Sequence, residues 1–175
     1  EPPRVAADPN KNEIPASELD AVLKAHYLGA GLIAQYEYPK AAAAFREVHE
    51  RAPGWIPGSV NLAIALLNMT GEQAEAAKKA GGEAAPSSFD EARALLSQVL
   101  EREPDNRHAH YCLGIILEQQ GHLPEAHQHF RRVTELDPND AGAWYYAAKT
   151  LTDADDPLRP ATPTLARTQV ELLTK

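Results

Sequence analysis

Apolar positions in this chain recur at three- and four-residue spacings interrupted by Gly and Pro, a pattern that predicts short amphipathic helices. The clearest stretch runs from Arg107 to Asp140. In its second half Leu123, Ala126, Phe130 and Val133 share one helical face, and Pro138 stops the helix. The first half, His110 to Leu117, carries Tyr111, Leu113, Ile115, Ile116 and Leu117 and is apolar on nearly every side. A helix of that kind must be covered on more than one face. The break at Gln120-Gly121 separates the halves, so the stretch predicts a helical hairpin that needs neighbours.

The rest of the chain supplies them. With Arg107 as position one of a unit of about 34 residues, Leu113-Gly114 fall at seven and eight, Leu117 at eleven, Ala126 at twenty, Phe130 at twenty-four and Pro138 at thirty-two. Starting at Val22, the same positions hold Leu28-Gly29, Leu32, Ala41, Phe45 and Pro53. From Ile56, Leu62, Ala63 and Leu66 fit a first helix, and Ala92, Leu96 and Pro104 fit the second once an insertion is allowed. From Ala141, Trp144, Ala147, Ala148 and Leu151 fit a first helix, with no regular second helix on schedule. Pro39 and Pro124 both stand at position eighteen, where a first helical turn tolerates proline.

This register resembles the tetratricopeptide (TPR) repeat, with its L-G, A-x3-F and Pro positions. The resemblance implies an all-α fold: a right-handed superhelix of stacked antiparallel helix pairs, three repeats plus a partial or irregular fourth. Residues 1–16, with four prolines, are expected to be an extended or disordered lead-in. The array then covers 17–175: repeats at 22–55, 56–106 with an insertion at 71–87, 107–140, and an irregular 141–175. Ser17 with Asp20, and Ser88 with Glu91, read as capping boxes for the helices that follow them. Trp55 is expected to plug the joint between the first two repeats. The insertion reads as a solvent-exposed excursion, and Leu165 to Leu173 as an amphipathic helix displaced by the loop before it.

In TPR proteins the first helices line a groove, and the matching positions here imply Leu23, His26, Ala30 and Ile33; Val60, Ile64, Leu67 and Asn68; His108, Tyr111, Ile115, Glu118 and Gln119; and Tyr145 and Lys149. From this set, with Asn61 added from the clamp pattern, the expected partner-binding residues are His26, Ile33, Asn61, Ile64, Asn68, His108, Tyr111, Ile115, Tyr145 and Lys149. The clamp by which some TPR domains hold chaperone tails matches only at Asn61; its other places hold His26, Ala30, His108 and Cys112. The implied partner is therefore a protein or peptide held by apolar contacts.

Charge narrows the choice further. A net charge of −8 disfavours a nucleic-acid partner, and no apolar run is long enough for membrane insertion. Cys112, the one cysteine, permits no intrachain disulfide. No phosphate loop, nucleophile elbow or zincin helix is present, so an enzyme is not expected, nor a cofactor. Five of the seven histidines lie in one repeat, but His108 with His110 and His127 with His129 are two apart on a helix and do not face each other. No metal site is expected from that spacing.

The runs NEIPASELDAVLKAHY, APGWIPGSVNLAIALLN and AHYCLGIILEQQGHLPEAHQHFRRV also resemble the N-terminal TPR region of large bacterial proteins that continue into FG-GAP propeller and UnbV-type (ASPIC) domains. That likeness implies a segment of a longer, exported or periplasmic protein. The expected function is a protein-interaction scaffold. Two alternatives stand beside it: a noncatalytic domain positioning a propeller or enzymatic domain, and a homo-oligomer assembled through the terminal helix from Thr164.

Overall fold

Prolines and short polar side chains set the helix boundaries. The computed structural model describes residues 11–69, 76 and 87–151. Among them run seven helices: α1 (Leu19–Ala34), α2 (Tyr38–Arg51), α3 (Ile56–Leu67), α4 (Ser88–Arg102), α5 (Arg107–Gln119), α6 (Leu123–Leu136) and α7 (Ala141–Thr150). Pro39, Pro57 and Pro124 occupy the first turns of α2, α3 and α6, where the missing N–H removes no hydrogen bond. Helices α2, α4 and α6 each end two residues before Pro53, Pro104 or Pro138, because a residue preceding proline is pushed out of the helical region. Asn106 and Asp140 cap α5 and α7, accepting from the amides of Ala109 at 3.0 Å and Ala143 at 2.9 Å.

Two capping expectations are corrected. Helix α1 opens at Leu19 after Glu18, not at a Ser17 cap, and no side chain caps it. A turn closed by the Glu18 amide on the Pro15 carbonyl, 2.9 Å, brings the chain in, and the Glu18 carboxylate pairs with Arg51 at 2.8 Å. The box at α4 is built one residue earlier than expected. The Ser87 hydroxyl oxygen accepts from the Asp90 amide at 3.1 Å and donates to the Asp90 carboxylate at 2.6 Å, while the Ser88 hydroxyl faces the Met69 sulfur at 3.7 Å.

The chain divides into two units, Glu1–Arg102 and Glu103–Lys175. In the first, α1 packs on α2, α2 on α3 and α3 on α4. The side chains of Phe45, Leu62, Leu96, Val22 and Val48 are fully buried there. Trp55 packs with Ile14 on the cluster of Val22, Ala25, Val48 and Ala52. The end of the lead-in is held in place too, since Asn12 accepts from the Ile56 amide at 3.0 Å. Between α2 and α4, the Arg46 guanidinium grips both oxygens of Glu91 at 2.8 and 2.9 Å.

In the second unit α5 packs on α6 and α6 on α7, around Phe130, Ile116 and Val133. Both units show the same close approach within a hairpin. A Cβ added at Gly29 would meet the Phe45 ring at 2.7 Å, and one at Gly114 would meet the Phe130 ring at 2.7 Å. The positions eight and twenty-four of the register are thus one contact, used twice. The insertion, apart from Ala76 and Ser87, and the amphipathic segment at Leu165 to Leu173 lie outside the described residues.

Candidate functional site

Helices α5 and α7 each pack on α6, and their side chains meet in the second unit. The Tyr111 ring on α5 stands edge-on to Tyr146 on α7 with centroids 5.9 Å apart, and edge-on to Phe130 at 5.7 Å. Ile115 and Tyr146 pack on the same cluster of Ala126, Phe130 and Ala147. Tyr145 stands edge-on to Tyr146 at 5.2 Å yet keeps 53% of its surface exposed. An ion pair ties the two helices, Lys149 Nζ to Glu118 Oε1 at 2.7 Å, with the ammonium 5.5 Å from the centre of the Tyr146 ring. The Glu118 bond raises the Lys149 pKa. Partial burial, with Tyr146 and Asp140 beside it, raises that of Tyr111, so the phenol stays neutral.

The fold therefore brings Tyr111, Ile115, Tyr145 and Lys149 together, and His108 lies exposed on the first turn of α5. Tyr146, absent from the expected set, is the centre of this aromatic group. Its position, one residue past Tyr145, gave no register signal.

The expected residues of the first unit are placed differently. His26 is enclosed by the rings of Tyr27, Phe45 and Trp55 at 5.9, 5.7 and 5.1 Å. Its Nδ1 is buried without a hydrogen-bond partner, and desolvation lowers its pKa. Ile33, Asn61 and Ile64 are half-buried. Asn68 is exposed and returns its amide to its own helix, donating to the Ile64 carbonyl at 2.8 Å. It acts there as a helix C-cap.

Three further groups bear on chemistry. His49 Nδ1 lies 3.0 Å from the Ser59 hydroxyl, but Ser59 is 6% exposed inside the α2–α3 packing, so no substrate reaches it. Cys112 is buried, and desolvation pushes its thiol up to about 11, away from a reactive thiolate. His110 on α5 and His129 on α6 meet Nδ1 to Nδ1 at 2.9 Å, and His110 Nε2 reaches the Pro104 carbonyl at 2.8 Å. Spacing along one helix could not reveal this pair, since its members belong to two helices. Burial first, and then His110, lowers His129 to about 4. His127 Nδ1 is 2.9 Å from the Ala147 carbonyl and so joins α6 to α7.

Residues 84–157 match the model of the tetratricopeptide repeat family. No curated protein matches the chain. Among solved structures, the MamA RS-1 ArsTM double mutant superposes with a TM-score of 0.66 at 19% identity, over 90% of this chain and 78% of that one. MamA 41-end from Desulfovibrio magneticus RS-1 superposes with a TM-score of 0.65 at 19% identity, over 87% and 75%. At that identity the likeness shows the fold alone. No helix among the described residues is long and apolar enough to cross a membrane. The repeat register is thus realised in packed helix pairs, and residues 84–157 match the tetratricopeptide repeat model.

Proposed function

We propose that the face shared by α5 and α7 binds an extended or helical peptide segment of a partner protein, with no catalysis on the chain itself. One observation carries the reading: Tyr145, a large ring 53% exposed, stands beside the packed Tyr111–Tyr146 pair and the Lys149–Glu118 ion pair. Exposed aromatics next to a rigid apolar floor lose little entropy on binding and gain much contact area. Ile115 and Tyr111 supply the floor, Tyr145 the anchor, and the charged pair and His108 a polar rim. The expected residues of the first unit contribute less in this reading, because Asn68 and His26 are engaged locally.

Selection of a displayed peptide library on the whole chain tests it. Peptides recovered should bind with affinity at least about tenfold weaker to Tyr145→Ala, a loss of about 1.4 kcal/mol. Equal binding to Tyr145→Ala by every selected peptide would reject this face. The two other readings, a positioning domain in an exported protein and self-assembly through the segment from Thr164, rest on residues outside the described structure.

A further inference from the structure

We propose that His110 and His129 form a two-imidazole site for a divalent transition cation of tetragonal preference, Cu(II) foremost, that clasps α5 to α6. The spacing is the first argument. Imidazole nitrogens bind first-row divalent metals at about 2.0–2.1 Å. Two of them at right angles around one ion then stand about 2.9 Å apart, against about 3.4 Å for a tetrahedral pair. The observed Nδ1–Nδ1 distance is 2.9 Å. A cis pair of nitrogens with water completing the plane suits Cu(II), which also stands highest in the affinity order for nitrogen sites.

The surroundings prepare the pair. A carbonyl can only accept, so His110 carries its proton on Nε2, donates it to Pro104 at 2.8 Å and leaves Nδ1 as a lone pair. Fixing a ligating histidine through its other nitrogen is the usual outer-shell device. The loop that holds Pro104 is itself fastened, since the Asp105 carboxylate pairs with Arg132 of α6 at 2.5 Å. His129 supplies the proton of the Nδ1–Nδ1 bond. On binding, that proton moves to its Nε2, so both rings ligate as neutral imidazoles and no net proton is released. His110 keeps its bond to Pro104, and the His129 ring turns its lone pair toward the shared point by rotation about χ2, a soft torsion in histidine. Among the described residues no third His, Cys, Asp or Glu joins them, so water fills the remaining positions.

The test is titration of the whole chain with Cu(II) at neutral pH, read by electron paramagnetic resonance and by thermal unfolding. One equivalent should bind with superhyperfine structure from two imidazole nitrogens and should raise Tm. His110→Gln and His129→Gln should each weaken binding at least about tenfold and abolish the rise in Tm, whereas exposed His122→Gln should change neither. An unchanged spectrum and Tm shift in both His110→Gln and His129→Gln would overturn the site. Should His129→Gln fail to fold, the half-exposed His110→Gln decides alone.

Discussion

Tyr36 and Gly121 hold the same place, position fifteen, in two repeats, and both lie in the left-handed region with φ of 60° and 80°. The two turns share a hydrogen-bond pattern. Glu37 N–H donates to Leu32 and Tyr36 N–H to Ile33, just as His122 donates to Leu117 and Gly121 to Glu118. This closure demands positive φ at its penultimate residue, which glycine meets freely and tyrosine only with strain. Tyr36 is 75% exposed, so little packing is lost when it is replaced. Tyr36→Gly should raise stability by about 1 kcal/mol and Gly121→Ala should lower it by about the same amount, measured by urea unfolding. The glycine was legible in the sequence as a break; its tyrosine counterpart was not, because nothing local marks a strained residue.

Acid sensitivity is also set at single residues. Burial, with Arg46 adding, holds the His49 pKa below its ordinary 6.5 against Glu50 and Glu91, and the ring bonds Ser59. The fold accepts the neutral imidazole, so its contribution is complete above about pH 6.5 and is lost as the pH falls below that value. The urea midpoint should drop between pH 7.5 and 5, and the drop should be smaller in His49→Gln.

At the scale of helices, boundaries followed local chemistry wherever a proline or a cap competed with nothing else. Pro39 and Pro124 open α2 and α6, and Pro53, Pro104 and Pro138 follow the ends of α2, α4 and α6, as the register implied. The two boxes were misplaced because a serine hydroxyl has several partners within reach and the sequence does not choose among them. At α4 the choice is Ser87, which both accepts from and donates to Asp90, while Ser88 turns to Met69. Ser87→Ala should therefore cost about 1 kcal/mol by chemical denaturation and Ser88→Ala clearly less. The reverse order would return the cap to Ser88.

For the whole molecule, core and binding face must be told apart. Tyr111 looks like a groove residue by register, yet its ring lies on Phe130 and Tyr146 and belongs partly to the core. Tyr111→Ala should cost about 2–4 kcal/mol of stability, since it removes a packed ring and leaves a cavity. Tyr145→Ala should change stability by no more than about 0.5 kcal/mol, because half of that side chain already faces solvent. Unfolding curves of the two variants check this directly. A large loss in Tyr145→Ala would make it a core residue as well.

The repeat register, carried by Leu28-Gly29, Ala41 and Phe45 and again by Leu113-Gly114, Ala126 and Phe130, determined the helical pairs without any structure. Apolar periodicity is a local consequence of helix geometry, so it can be read from spacing alone. Tertiary structure decided what crosses between helices. It joined His110 to His129 and Tyr111 to Tyr146, set His49 against Ser59, and left Tyr145 outside. Such pairings depend on the rotation and separation of one helix against another, and those are fixed by packing of the assembled side chains rather than by the order of residues along either helix.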